Sequence, residues 1–439
     1  MAASRADVNQ KLYLSPETII GAAVAALKKF PSLSVEPERV QDDQFYRPAG
    51  QLVPGSGVKH REWSEPKYNA AIDFNELTYI FAGLFGSVSP SNPTSGVYSW
   101  VWTPTESDFG TPKTFTARMG DTLASALIPG MYFNSMNMRI SDDTSEVSGD
   151  CFGYAINDNE GPVNASLSDE VQQLVITGSP TGGTFTLTFG GDTTNALAYN
   201  ASAAEVQAEL EGLAAIGSGN VQCYGSGLPG GTITIHFVKS KGATNVAAIT
   251  STDSLTGGST PATAISTLTA GGASSYSAIT QQPISKNQWN LYIDSSYGSI
   301  GTTKFCDALE LGISIPKLRE MVKVLCTYYP SFKDAVAIAV EAMTATTVLI
   351  KNTDVIAFMK SYNVPSKPTY YFRFEAIGAV ISGTYKYTLT IDMALKCATP
   401  KERRNVKGVY AYQIDNQFVA DASLGGPIKI TLQNIVSAL

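Results

Sequence analysis

Between Trp100 and Ile156 the chain carries four runs that alternate apolar and polar residues with period two. They centre on Tyr98 to Trp102, Phe115 to Asp121, Tyr132 to Ile140 and Ser148 to Ile156. Period two places successive side chains on opposite faces, so each run reads as a strand with one face buried. Turn residues separate the runs: Asp108-Phe-Gly110, Gly120-Asp121, Pro129-Gly130 and Ser141-Asp142-Asp143. Four strands so close together predict an antiparallel meander closing on itself. Nothing in the stretch is arranged for chemistry; it reads as a surface built to pack and to pair.

The same pattern continues elsewhere. Lys67–Ile72 reads as a strand, and Asp73 with Glu76 as a capping box before Leu77, Ile80, Phe81 and Leu84 at helical spacing, ending at Gly86. Leu33–Tyr46 reads as a strand with its turn, and Gln51–Glu65 as a long loop rich in Gly, Pro and charge. Ser15 as N-cap and Pro16 at the first helical position predict a helix to about Lys29, presenting Ile19, Ile20, Ala23, Val24 and Leu27. Residues 1–32 are therefore expected to form an N-terminal helical arm.

Composition shifts after Asp169. From Val171 to Gly272 the chain is rich in Gly, Thr, Ser and Ala and poor in Lys and Arg. Thr181-Gly-Gly183, Gly190-Gly-Asp192 and Pro229-Gly-Gly231 are tight turns between short strands, and Ser202 with Glu205 forms a second capping box ahead of Val206, Leu210 and Leu213. This predicts a compact inserted domain over 170–272, leaving through Gly271-Gly272 and the Ser-rich Ala273–Ser277.

Strands then resume at Trp289–Ile293, Ala308–Ile315, Met321–Tyr328 and Ala335–Ala342. A helix opens at Thr344, carries Val348, Val355, Ile356 and Met359, and stops before Pro365. Four more strands follow at Tyr370–Ala379, Tyr385–Lys396, Val409–Ile414 and Ile428–Leu432. The order strand, helix, strands thus occurs twice, at Lys67–Ile156 and at Ala335–Ile414, which implies two similar β-domains. The fold class is mainly β, of sandwich or barrel type, with one helix in each domain. The expected boundaries are 33–169 plus 273–301 for the first, 170–272 for the insert and 302–439 for the second.

Little supports catalysis. The only histidines are His60 and His236, too far apart in sequence for a His-based metal site and too few for most Ser-His or Cys-His chemistry; each reads as a surface or packing residue. The cysteines Cys151, Cys223, Cys306, Cys326 and Cys397 are scattered without metal-ligand spacing, and Cys151, Cys326 and Cys397 fall in apolar strand patterns, as buried thiols from a reducing cytoplasm would. Asp142, Asp143 and Glu146 do not follow a calcium-loop spacing and read as a hairpin turn. Lys401-Glu-Arg-Arg404 reads as a solvated loop or an inter-subunit ion-pair site. The glycine pairs lack the Gly-Lys-Ser/Thr of a phosphate loop. No catalytic residue, cofactor or metal ligand is assigned, and no enzyme is expected. A net charge of −7 argues against a basic clamp on nucleic acid. No secretory leader is evident, and the apolar Ile19–Leu27 is too short to span a bilayer, so a soluble chain is expected.

The stretches Asp73–Phe85, Thr114–Asp121 with Phe133–Tyr154, Asn287–Gly301, Tyr385–Asp392 and Pro427–Asn434, taken in order, resemble a major tail tube protein of long-tailed, siphovirus-like bacteriophages. Val171–Gly272 resembles a small, Ig-like or otherwise β-rich decoration module of phage structural proteins, through its Thr-Gly-Gly-Thr-Phe-Thr-Leu-Thr-Phe hairpin and Tyr-Asn-Ala-Ser-Ala-Ala-Glu-Val-Gln helix start. The resemblance implies stacked rings, usually of six subunits, forming a tube that encloses the tape-measure protein and later passes DNA without specific binding. The tube would sit in the virion between tail terminator and baseplate proteins, after synthesis in the host cytoplasm, with no membrane involved. Two tube domains per chain would make the ring a trimer with pseudo-sixfold symmetry. Tyr370–Ala379 and Tyr385–Lys396 are then candidates for the inner sheet, around a lumen expected to be negative on balance. The insert would swing outside the ring on its Gly/Ser-rich exit. Two other readings are a head-decoration or baseplate protein, and a carbohydrate-binding β-protein using exposed Trp63, Trp100 and Trp102.

Overall fold

A computed structural model describes the chain except residues 1–10, 19, 22–23, 25–27, 48, 50–55, 122–124, 161–166, 243, 274–276, 325–330, 341–342, 363–366, 398–399 and 407. Among the described residues the protein is mainly β, with three short α-helices: α1 Leu77–Phe85, α2 Ala203–Glu211 and α3 Thr353–Tyr362. The first and third lie in a large body and the second in the insert.

The body is a closed network of strand pairings around one core that contains residues from Leu12 to Leu432. Helix α1 lies within that core, with all nine residues buried. A helix apolar on every side needs protein all round it. Trp102, 1% exposed, packs on Phe81 of α1 and donates its indole N–H to Gly86 O at 2.9 Å. From the other end of the chain, Asn434 donates to Phe74 O at 2.8 Å and to Thr78 Oγ1 at 2.7 Å.

The period-two runs form strands, and part of the expected meander forms: Tyr132 and Phe133 pair with Phe152 and Cys151, and Met136–Ser141 pairs with Ser145–Phe152, but the sheets are completed by strands from elsewhere. Val97–Trp102 pairs with Ile428–Asn434; Phe115–Gly120 lies between Lys11–Pro16 and Ser125–Phe133; Met136–Ser141 lies between Ser145–Phe152 and Ala308–Ile315. Each finds a partner distant in sequence, which a local pattern does not encode. Phe115–Gly120 is also buried on both faces instead of one.

These pairings cross the expected boundary at 301/302. Ala308–Ile315 joins Met136–Ser141 on one side and Thr344–Ile350 on the other, and Trp289–Asp294 pairs with Tyr370–Ser382. The two strand–helix units are Lys67–Ala71 with α1 and Thr344–Ile350 with α3, and they share sheets and a core.

Several local expectations are corrected. Ser15 and Pro16 do not start a helix; they end the strand Lys11–Pro16, with Leu12, Tyr13, Leu14 and Ser15 buried and Pro16 opposite Phe115. Burial on both faces outweighs the capping signal. The arm continues as the short strand Lys28–Phe30; Ile19, Ala23 and Leu27 lie outside the described residues, and Ile20 is 42% exposed. Within the expected loop Gln51–Glu65, Ser56–Ser64 is a strand paired with Arg39–Tyr46 as a separate hairpin. Thr344–Ile350 is a strand; α3 starts later, where Asn352 Oδ1 accepts the Val355 N–H at 2.8 Å. Ahead of it, Asp334–Ala337 pairs with Arg319–Val322 in a two-stranded sheet, and the end of the Met321–Tyr328 expectation lies outside the described residues.

The insert has its own core, from Leu174, Phe185 and Leu187 to Ile235, Phe237 and Ile249. One four-stranded sheet is ordered Val221–Gly225, Thr232–Phe237, Val171–Thr177, Ala262–Thr269. A second is built around Gly182–Phe189. Helix α2 starts at a complete capping box: Ser202 Oγ accepts the Glu205 N–H at 3.2 Å and Glu205 Oε2 accepts the Ser202 N–H at 2.8 Å.

Candidate assembly interface

Five antiparallel strands form the clearest two-faced surface: Trp289–Asp294, Tyr370–Ser382, Tyr385–Cys397, Ile428–Asn434 and Val97–Trp102. One face is core: Leu291, Phe372, Phe374, Leu389, Ile391, Ile430, Leu432 and Trp100 are each 1% exposed or less. The register brings the alternate residues into rows on the other face. One row runs Tyr292, Arg373, Asp392, Lys429; the next runs Asn290, Glu375, Thr390, Thr431. Arg373 grips Asp392 with two hydrogen bonds, of 2.7 and 2.9 Å, and Glu375 accepts from Tyr292 Oη at 3.2 Å. The Asp392 bonds hold Arg373 above its ordinary pKa. The four charged residues in these rows, Arg373, Lys429, Glu375 and Asp392, balance in sign, so the face is polar but not negative.

Two hairpins carry exposed apolar residues. At the tip of Tyr370–Ser382 and Tyr385–Cys397, Val380 is 56% and Ile377 36% exposed. Near the end of the Arg39–Ser64 hairpin, Phe45 is 66% exposed. A groove of about 400 Å3 is lined by both apolar residues, Phe109, Ile338, Met343 and Phe418, and polar ones, Glu106 and Gln417. Clustered exposed apolar side chains mark contact surfaces more often than scattered ones do.

Trp100, Trp102 and Trp63 are buried (Trp63 7% exposed, under Lys323 Nζ at 3.3 Å from its ring centroid), so the exposed aromatic platform is overturned. Stacking of Trp100 on Trp102 and the long-range partner of each explain the burial, which alternation alone could not assign. Lys401–Val406 is a strand, not a loop; Lys401 pairs with Asp415 at 2.9 Å and Glu402 with Lys351 at 3.1 Å, within the chain. Asp142 and Asp143 sit in the turn between Met136–Ser141 and Ser145–Phe152. Cys151 and Cys397 are buried, which pushes both thiols up, while Cys306 is exposed; Cys326 and the His60 side chain lie outside the described residues. Among the described residues no group of three His, Cys, Asp or Glu is placed to hold a metal, and no helix is long and apolar enough to cross a membrane.

The first capping box is half made. Asp73 Oδ1 accepts the Glu76 N–H at 3.2 Å, but Glu76 turns away and accepts the Ser32 N–H at 3.0 Å. Burial raises Glu76 to about 7. Glu17 behaves alike: fully enclosed, it accepts from Thr116 Oγ1 and Gly130 N–H at 2.8 Å and from Gly21 N–H at 2.9 Å, and burial raises it to about 7. These two carboxyl groups fasten the N-terminal segment to the body, a role without a sequence signature because Thr116 and Gly130 lie about a hundred residues from Glu17, and Ser32 lies 44 residues from Glu76.

No protein-family model matches the chain, and no curated protein is similar to it at a significant level.

Proposed function

We propose that this chain is a structural subunit that stacks in rings to form a phage tail tube. The observation that carries the reading is the five-stranded sheet with one face in the core and the other polar and balanced in charge. A conduit for DNA needs a hydrated wall without excess fixed cations, since each released counterion strengthens binding to phosphate. The sequence expectation of a negative wall is replaced by a neutral one in this reading. The strand–helix order occurs twice within one shared core, and reading it as two tube units per chain gives a trimeric, pseudo-sixfold ring. Sheet edges and apolar hairpin tips would be covered by neighbouring copies, which removes their aggregation liability. The tape-measure, terminator and baseplate proteins are the implied partners, and the virion tail the implied location.

Negative-stain images of the purified protein should show stacked rings with a central channel, and image averaging should give three chains per ring. Globular particles without a channel would reject the reading, and six chains per ring would reject the stoichiometry. Val380→Asp should weaken ring formation without changing monomer melting; unaltered assembly would remove that hairpin from the contact. Replacing Val171–Gly272 by a short Gly-Ser linker should leave rings intact, because loop closure depends weakly on length. A folded deletion variant that forms no rings would put the insert in the ring contact. The carbohydrate-binding alternative loses its basis with the burial of Trp63, Trp100 and Trp102.

A further inference from the structure

We infer that the insert is locked to the body in one orientation by a buried three-residue junction, and that its glycine-rich exit is a packing device, not a hinge. The junction joins three parts of the chain. Arg118 comes from the body strand Phe115–Gly120, Asp169 from the stem after Leu167–Ser168, and His236 from the insert strand Thr232–Phe237. Asp169 Oδ2 lies 3.3 Å from Arg118 Nη1 and 3.2 Å from His236 Nε2. The three residues are 7%, 5% and 4% exposed. An ionised carboxylate only accepts, so His236 turns Nε2–H toward it while Arg118 supplies the opposite charge. Arg118 is itself oriented by a 3.0 Å bond from Nε to Ser125 Oγ on the neighbouring body strand.

The next residue ties the two stem chains together. Glu170, 2% exposed, accepts the Gly271 N–H at 2.7 Å and the Thr267 hydroxyl at 3.2 Å, and its carbonyl accepts the Phe237 N–H at 3.0 Å. Beside it, Leu167–Ser168 pairs antiparallel with Gly272–Ala273. A Cβ on Gly271 would lie 1.9 Å from Thr244 O and 2.9 Å from Glu170 N. Both are backbone atoms, so no side-chain movement makes room, and glycine is required by close approach. A Cβ on Gly242 would likewise come within 3.0 Å of Asp169 Oδ1. On another side of the insert, Gln207, Gln222 and Tyr224 line a cleft of about 350 Å3 together with Arg39, Glu62 and Ile156 of the body.

Asp169 is the shared acceptor that joins Arg118 of the body to His236 of the insert, and removing it takes away both contacts at once. Asp169→Ala should therefore free the insert, whereas Asp169→Asn, which keeps a side-chain oxygen at that place, should hold it closed. This lock is independent of what the assembled protein does.

The test is amide relaxation of the full-length, 15N-labelled chain, with limited proteolysis of the stem. In the native chain, insert and body amides should report one common tumbling time. In Asp169→Ala the insert amides should tumble faster than the body's, and stem cleavage should accelerate at least tenfold. Asp169→Asn should keep the native pattern. Insert amides tumbling independently in the native chain would overturn the lock, and they decide the matter even if Asp169→Ala fails to fold. An Asp169→Ala chain that folds and relaxes like the native one would overturn the role of Asp169.

Discussion

Body and insert are both β-rich, yet they solve folding differently. The insert encloses its core within one continuous stretch, Leu174 to Ile249. The body closes contacts across nearly the whole chain: Trp100 donates its indole N–H to Val436 O, and Ile430 lies opposite Trp102. The insert can therefore close before the body has its last strand, whereas the body must wait for both ends. Contacts distant in sequence cost more closure entropy before they are rewarded. A module with a self-contained core can be carried by a body whose own sheet is interrupted to hold it.

The strongest way to break this comparison is to damage one core and watch the other. Trp102→Ala should cost the body about 3–5 kcal/mol, because it empties a large buried site and orphans Gly86 O. Calorimetry should show the body transition moving to lower temperature and the insert transition staying in place. A single transition that shifts as a whole would show that the two regions do not melt separately. The reciprocal change, Leu210→Ala in α2, removes a fully buried side chain and should cost the insert about 2–4 kcal/mol, leaving the body transition unmoved.

Acidity should act on Glu17 and Glu76 of the body with the opposite sign to Glu205 of the insert. Glu17 and Glu76 rise from 4.5 to about 7 in the folded body, chiefly through burial. Their stabilising contribution is full below pH 4.5 and is lost as the pH rises through 7, by at most about 3 kcal/mol each. In the insert, Glu205 is lowered by its bonds with Ser202, so its contribution is present above pH 4.5 and is lost on acidification. Melting curves of Glu17→Gln and Glu76→Gln should lose most of the body's decline between pH 4.5 and 7. An unchanged slope in both variants would reject these carboxyls as its source. The smallest effect is expected at the α2 cap: Ser202→Ala should lower insert stability by about 1 kcal/mol, read as a shift of a few degrees in the insert transition alone.

The legible parts were those whose cause is local. The Ser202/Glu205 box was readable because both partners lie within one turn, and so was α1, from Leu77, Ile80, Phe81 and Leu84. The alternation at Tyr385–Lys396 and Ile428–Leu432 marked strands that carry the candidate surface. The same local reading failed at Ser15-Pro16, where six residues pair with Phe115–Gly120, and at Glu76, whose carboxyl serves Ser32 instead of Asp73. It also took Gly271 for slack, because glycine signals freedom and close approach with the same letter.

By itself the sequence determined the β-rich class, many of the long strands and the self-contained insert, since periodicity, turns and caps act over a few residues. Tertiary structure alone decided which strands became neighbours, whether Trp63, Trp100 and Trp102 were inside or out, and that Arg118, Asp169 and His236 meet. Those outcomes depend on register and burial between segments tens to hundreds of residues apart. There, the free energy lies in the pairing, not in the propensity of either partner.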